Sequence, residues 1–146
     1  MTESLRQKSW LQSHWKWLVP TLLVFFLLAV FFSSGMNKVA SDLTNAYTDT
    51  ELFNNALEKV KANETVVSIL GDIQPIDQLA ILEGQVNYSK NNTAVKSSIR
   101  ISGTKRNARL DIIANKVNNE WIYKTLNVRI KKPKDQQQTI TILKVE

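Results

Sequence analysis

From Trp17 to Asn37 every residue is uncharged, and the centre of the run, LVPTLLVFFLLAVFF, is almost wholly aliphatic and aromatic. A helix of that length reaches about 31 Å at about 1.5 Å per residue, which matches the ~30 Å hydrocarbon core of a bilayer. Pro20 falls in its first turn, where the missing N–H costs little. Residues 38–46 then read as a short tether. Past it, Leu52, Phe53, Ala56, Leu57 and Val60 recur at helical spacing, opposite Asn54, Asn55, Glu58, Lys59 and Lys61. Thr48 suits the N-cap of this helix, with Glu51 as its capping-box partner and Tyr47 and Leu52 as a hydrophobic staple, and Asn63 suits its end. A shorter helix is expected from Glu64 to Leu70, closed by Gly71 and by Pro75 beyond it.

After Gln78 the period falls to two, which predicts a sheet. Leu82, Gly84, Val86 and Tyr88 alternate with Glu83, Gln85, Asn87 and Ser89, and Lys90-Asn91-Asn92 supplies a turn. Val95, Ile99 and Ile101 share one face against Lys96, Ser98 and Arg100. A loop over 102–107 leads to Ala108, Leu110, Ile112 and Ala114, which alternate with Arg109, Asp111 and Ile113. Asn118-Asn119 is a hairpin signal, because Asn tolerates positive φ. Ile122, Leu126, Val128 and Ile130 read as the inner face of the next strand, and Pro133-Lys134-Asp135 turns the chain into a last strand around Ile140 and Ile142. The fold class that follows is α+β: an N-terminal transmembrane helix (residues 17–37), then a small domain (residues 47–146) of one or two helices packed on a five-stranded, mainly antiparallel sheet.

Charge sets the expected topology. Arg6, Lys8 and Lys16 outweigh Glu3 in the flank of residues 1–16, whereas Lys38 is followed by Asp42, Asp49 and Glu51. The positive-inside rule keeps the N-terminal flank in the cytoplasm, or in the matrix for a mitochondrial inner membrane, and exports the C-terminal domain. Trp10, Trp15 and Trp17 suit an interfacial belt. The same region also fits a cleaved signal with an apolar centre over 18–32 and small residues at Ser33-Ser34-Gly35; the length of the run and the three tryptophans favour an anchor that is retained.

Composition narrows the chemistry. The chain has no cysteine, its one histidine is His14, and its two methionines are Met1 and Met36. The domain therefore lacks the usual ligands of zinc, copper and haem iron, and Asp72, Asp77 and Glu83 do not fit an EF-hand loop. No cofactor is expected. Its serines have no histidine to activate them and no G-x-S-x-G elbow, although a Ser–Lys pair stays open, and Gly71, Gly84 and Gly103 are too far apart for a phosphate-binding loop. Binding or scaffolding is the expected work, not catalysis.

The charge is unevenly divided. Residues 37–86 carry three basic and eight acidic side chains, while residues 87–146 carry thirteen basic and four acidic ones. Lys96, Arg100, Arg109 and Arg129 lie out of phase with the aliphatic positions, which puts them on the solvent face or edges of the sheet, and Lys105, Arg106, Lys131, Lys132 and Lys134 extend the charge into loops. Lys96, Arg100, Lys105, Arg106, Arg109 and Arg129 form the candidate partner-binding set. Export and the lack of an aromatic-rich binding motif argue against nucleic acid. Membrane lipid headgroups or an acidic partner protein fit better, and a merely solvated face with edge lysines is the plain alternative.

Taken in order, the tryptophan-rich flank KSWLQSHWKWLVP (8–20), the single apolar span, V-x-x-x-L-G-x-x-x-P (66–75), LEGQV (82–86), SGTKRNARL (102–110) and E-W-x-x-x-x-L-x-V (120–128) resemble the cytochrome oxidase complex assembly protein family. The resemblance implies a fold like that of the regulatory subunit of the mitochondrial presequence translocase. It also implies a membrane-anchored factor that attends early maturation of the oxidase core subunit through contacts with oxidase subunits or other assembly factors. Asn107 stands where a second glycine is expected, and an Asn can take the left-handed conformation there. The lack of a long Arg- and Ser-rich presequence favours a bacterial plasma membrane over a mitochondrial one. The motifs bring no site residues with them. The competing function is a membrane-proximal lipid-binding or envelope-stress module; an enzyme that uses carboxylates alone is the third.

Overall fold

The computed structural model describes residues 10–33, 35–89 and 91–145, with side chains from His14 onward. Expectations that rest on Glu3, Arg6, Lys8, the Trp10 side chain, Ser34 and Lys90 lie outside the described residues. The chain divides into two compact units, Met1–Lys38 and Val39–Glu146.

Helix α1 (Trp10–Ser33) contains the apolar run, with Pro20 inside it. Its stretch His14–Ser33 is long and apolar enough to cross a membrane, with mean hydropathy 2.0 and none of it buried against protein. Two hydroxyls on this helix are satisfied locally: Thr21 Oγ1 donates to the Trp17 carbonyl at 2.8 Å and Ser33 Oγ to that of Ala29 at 2.7 Å.

Residues 38–46, expected as a tether, are helical instead. They belong to α2 (Met36–Thr48), which buries Asp42 and Ala46. Neither Gly nor Pro interrupts residues 36–48, so no strong helix breaker opposes α2. Thr48 ends α2, and its hydroxyl bonds back to the Asn45 carbonyl at 2.9 Å. Asp49, not Thr48, therefore occupies the cap position of α3 (Thr50–Lys61), without a side-chain capping bond. The buried face of α3 is Leu52, Phe53, Ala56, Leu57 and Val60, as its periodicity demands. Ala62 closes α3, and Asn63 opens α4 (Glu64–Leu70) by accepting from the Val66 amide at 3.1 Å. Gly71, at φ +80, ends α4. A further short helix, α5 (Gln78–Leu82), is capped by Asp77, whose carboxylate accepts from the Ala80 amide at 2.6 Å. Leu82 thus ends a helix, where alternation alone had placed it at the head of a strand.

The sheet comprises β1 (Gln85–Tyr88), β2 (Ala94–Ser102), β3 (Asn107–Val117), β4 (Glu120–Ile130) and β5 (Gln138–Lys144). Its spatial order is the chain order, and every neighbouring pair is antiparallel. The α+β class and the five-stranded antiparallel sheet are those expected; the additional helices are α2 and α5. Asn118 and Asn119 both take positive φ, 50° and 67°, and make the tight β3–β4 turn. Asn107 lies in β3 opposite Ser102 and has no positive φ, so the missing glycine changes nothing at that position.

One expected core position is on the wrong face. Ile122 is 52% exposed, while its neighbour Tyr123 is buried. Pairing passes from Ile113↔Thr125 to Ala114↔Tyr123, so β4 has one extra residue there and its alternation changes parity. The hydroxyl of Tyr123 donates to the Leu52 carbonyl at 2.6 Å, tying β4 to the start of α3. Burial pushes that phenol up to about 12. The core joins Leu52, Phe53, Val60, Val66 and Leu70 of the helices to the inner face of the sheet, where Ile99, Ile101, Leu110, Ile112, Leu126 and Val128 lie.

Candidate functional site

The opposite face of the sheet collects the charge. Register puts Arg100 of β2 directly across from Arg109 of β3, and Arg109 across from Arg129 of β4. Three guanidinium side chains therefore stand in one row across three strands. A parallel row beside it contains Ser98, Asp111 and Asn127.

The row is only partly neutralised. Arg129 makes a bidentate pair with Asp111, Nη2 meeting Oδ1 at 2.7 Å and Nε meeting Oδ2, and also donates to Ser98 Oγ at 3.0 Å. The Asp111 hydrogen bonds raise the pKa of Arg129 further above its already high value, against a smaller opposing effect of burial. Arg100 bonds Glu83 at 3.2 Å, lies 3.6 Å from the Asp77 carboxylate, and donates to Ser102 Oγ at 3.0 Å. Arg109, between them, donates among the described residues only to the Ser98 carbonyl, at 3.3 Å.

Arg100, Arg106, Arg109, Arg129, Lys131 and Lys132, with Asn107 and Ala108, line an open groove of about 350 Å³. A neighbouring hollow of about 280 Å³ is lined by polar groups including Gln85, Asn87, Lys96, Asp111, Asn127 and Arg129. Four of the six candidate residues, Arg100, Arg106, Arg109 and Arg129, thus meet in one groove, and Lys96 lies in the adjoining hollow. Lys105 is elsewhere: its ammonium bonds the Ser68 carbonyl near the C-terminal end of α4, at 3.1 Å. Lys131 and Lys132 join the groove because they continue directly from Ile130, the last residue of β4. The carboxylates at Asp77, Glu83 and Asp111 were not foreseen as partners. Asp111 had a visible signal, since it shares the parity of Arg109; Asp77 and Glu83 cap the two ends of α5, whose docking beside β2 is a tertiary event.

The loop that carries Arg106 is held by two motifs that are distant in sequence. The main chain of Ile73 bridges to Gly103, the Thr104 amide donates to the Asp72 carbonyl at 3.0 Å, and the Lys105 amide donates to that of Leu70 at 2.9 Å. Thr104 Oγ1 returns a bond by accepting from the Asp72 amide at 3.0 Å. A Cβ on Gly103 would overlap the carbonyl oxygen of Leu70, and one on Gly71 would overlap Thr104 Oγ1. Each glycine thus abuts the residue next to the other, where a side chain on either would collide.

At the other end of the sheet, Lys116 lies 3.9 Å from Asp49 and 5.2 Å from the Trp121 ring. Burial, followed by Asp49 and Asp42, raises the pKa of the Tyr88 phenol. Among the described residues, no group of three His, Cys, Asp or Glu side chains is placed to hold a metal ion.

Fold and site together define an α+β protein with an N-terminal apolar helix and an exposed cationic face on its sheet. The chain belongs to the family of cytochrome oxidase complex assembly protein 1, whose model matches residues 22–144, from within α1 to the end of β5. No curated protein and no solved structure matches the chain.

Proposed function

We propose that this chain is a single-pass, membrane-anchored and non-catalytic assembly factor for cytochrome c oxidase. It meets oxidase subunits or other assembly factors through the basic face of its sheet. The observation that carries this reading is the family match over residues 22–144. Two further features support it. Helix α1 presents Leu22, Leu23, Phe25, Phe26 and Leu27 with more than half of each side chain exposed, a surface that water would penalise and lipid would accept. The basic groove, open to solvent, suits recognition of an acidic protein surface, where charge guides encounter and orientation.

In this reading α1 remains in a bacterial plasma membrane, or a mitochondrial inner one, with the N-terminus inside and the sheet domain outside. A reporter fused after Glu146 is then active only outside the cytoplasm, and the mature protein retains its first residues; a mature N-terminus at Gly35 or Met36 shows instead that a signal was removed. The functional test is deletion of the gene combined with affinity recovery of the tagged protein in mild detergent. Loss of oxidase activity and co-recovery of oxidase subunits support assembly. Unchanged oxidase with recovery of anionic lipid alone transfers the function to lipid binding, the reading that the same groove would then serve.

A further inference from the structure

We propose that Arg109 is the docking point for a carboxylate side chain of an acidic, extended peptide segment on a partner protein, which it takes into the basic groove; this rests on the assembly reading above. Like charges directly opposite on neighbouring strands cost stability. Arg100, Arg109 and Arg129 nonetheless stand in register on β2, β3 and β4. The two outer members hold carboxylates of their own chain, Glu83 and Asp77 on Arg100 and Asp111 on Arg129. Arg109 holds none among the described residues, and its one bond, at 3.3 Å, goes to a main-chain carbonyl.

The rest of the groove adds to the imbalance. Arg106 bonds the side-chain amide oxygen of Gln136 at 2.8 Å, a neutral partner. Lys131 and Lys132 are exposed and make no ion pair among the described residues. Among the described residues, six cationic side chains therefore line the groove and no carboxylate does. Unneutralised charge is concentrated around the central arginine. The chemistry of the missing charge is indicated by the neighbours, since both flanking guanidinium groups engage carboxylates on this same face. The polar hollow with Gln85, Asn87 and Asn127 continues from the groove through Arg129 and offers amide groups to a peptide main chain.

The full-length protein in an uncharged detergent, titrated against a labelled peptide of alternating glutamate and serine, tests this by fluorescence anisotropy. Wild-type binding should weaken with added salt, and a glutamine–serine peptide should not bind. Arg109→Gln should weaken binding at least about tenfold, the range expected for a charge-assisted bidentate contact. Arg109→Lys should restore only part of it, because the ammonium lacks the planar fork. Thermal unfolding should show that Arg109→Gln is no less stable than wild type; if it proves misfolded, Lys131→Gln with Lys132→Gln gives the same reading by a several-fold loss.

Equal peptide binding by Arg109→Gln, or by that double variant where Arg109→Gln misfolds, overturns the proposal. So does stronger Arg109-dependent binding of inorganic phosphate or of phosphatidylglycerol vesicles, either of which would make the groove a phosphate site. Failure of the assembly reading is distinguishable: if Arg109→Gln loses the peptide while gene deletion leaves oxidase unchanged, the docking point stands and the assembly role falls. If deletion abolishes oxidase but Arg109→Gln binds peptide normally, the reverse holds.

Discussion

The two faces of one sheet obey different rules. On the inner face Ile99, Leu110, Ile112, Leu126 and Val128 are fully or almost fully buried against α3 and α4, and each contact removes apolar surface from water. On the outer face the same strands carry Arg100, Arg109 and Arg129 in a row, an arrangement that works against the fold except where Asp77, Glu83 and Asp111 offset it. Inner residues are explained by stability alone. The central outer arginine is not, and the docking proposal rests on that difference.

The sharpest break of this comparison uses adjacent residues of β3. Ile112 is 0% exposed and Ile113 is 37% exposed. Ile112→Ala should lower the unfolding free energy by about 4 kcal/mol through lost burial and a residual cavity. Ile113→Ala should change it by no more than about 0.5 kcal/mol. Urea unfolding of the two full-length variants decides it, and similar losses would mean that the outer face is also packed.

Next in size is the junction that supports the groove. Gly103→Ala should cost about 2 kcal/mol, since its methyl meets main chain at Leu70 and one of the two segments must move. Hydrogen exchange should report the loss first at the Thr104 and Lys105 amides, which bond Asp72 and Leu70 across this junction. Exchange unchanged there would show that the two motifs are not locked together.

Tyr123→Phe tests the tie between β4 and α3. Removing the hydroxyl takes away the bond that the Leu52 carbonyl accepts beyond the helical one and should cost about 1 kcal/mol. The pH dependence is specific. Folding raises this phenol from 10.0 to about 12, so its contribution is complete below pH 10 and is lost as pH rises towards 12, the unfolded chain releasing its proton first. Stability should fall across that window, and the phenylalanine variant should show a shallower fall when unfolding is followed at successive pH values. Tyr88, also raised, should supply part of the remaining slope.

The smallest expected difference separates two arginines of the same row. Arg129→Gln leaves Asp111 without its bidentate partner and should cost up to about 1 kcal/mol, a partly exposed pair being worth little more. Arg109→Gln removes one of three opposed cations and should cost nothing or add slightly to stability. Calorimetric melting at low and high salt distinguishes them, because screening should narrow the gap. A larger loss at Arg109 than at Arg129 would make the central arginine a structural residue and remove the argument for a partner.

Local pattern determined much of this protein. The apolar run that becomes α1, the buried stripe of α3, the Glu64–Leu70 helix with its Gly71 stop, the paired asparagines of the β3–β4 turn and the inward positions of β2 and β3 are all set by residues within a few places of one another, through periodicity or through the φ that a residue tolerates. The gathering of basic residues on the outer face was legible for the same reason, since alternation alone assigns a face.

Where contacts between distant residues govern, local pattern stops short. The extra residue in β4 reverses its parity and exchanges Ile122 for Tyr123, because the Tyr123 hydroxyl finds the Leu52 carbonyl and burial of the ring favours that face. Residues 38–46 become helical as Asp42 and Ala46 are buried, which spacing did not announce. Gly71 and Gly103 are recognisable singly as turn formers, yet the contacts of Gly71 with Thr104 and of Gly103 with Leu70 exist only once α4 and the β2–β3 loop are brought together. The same holds for the charge. Sequence counts the cations, but which of them are neutralised depends on α5 bringing Asp77 and Glu83 to Arg100 and on register setting Asp111 beside Arg129, because Coulomb energy depends on distance in space and not on separation along the chain.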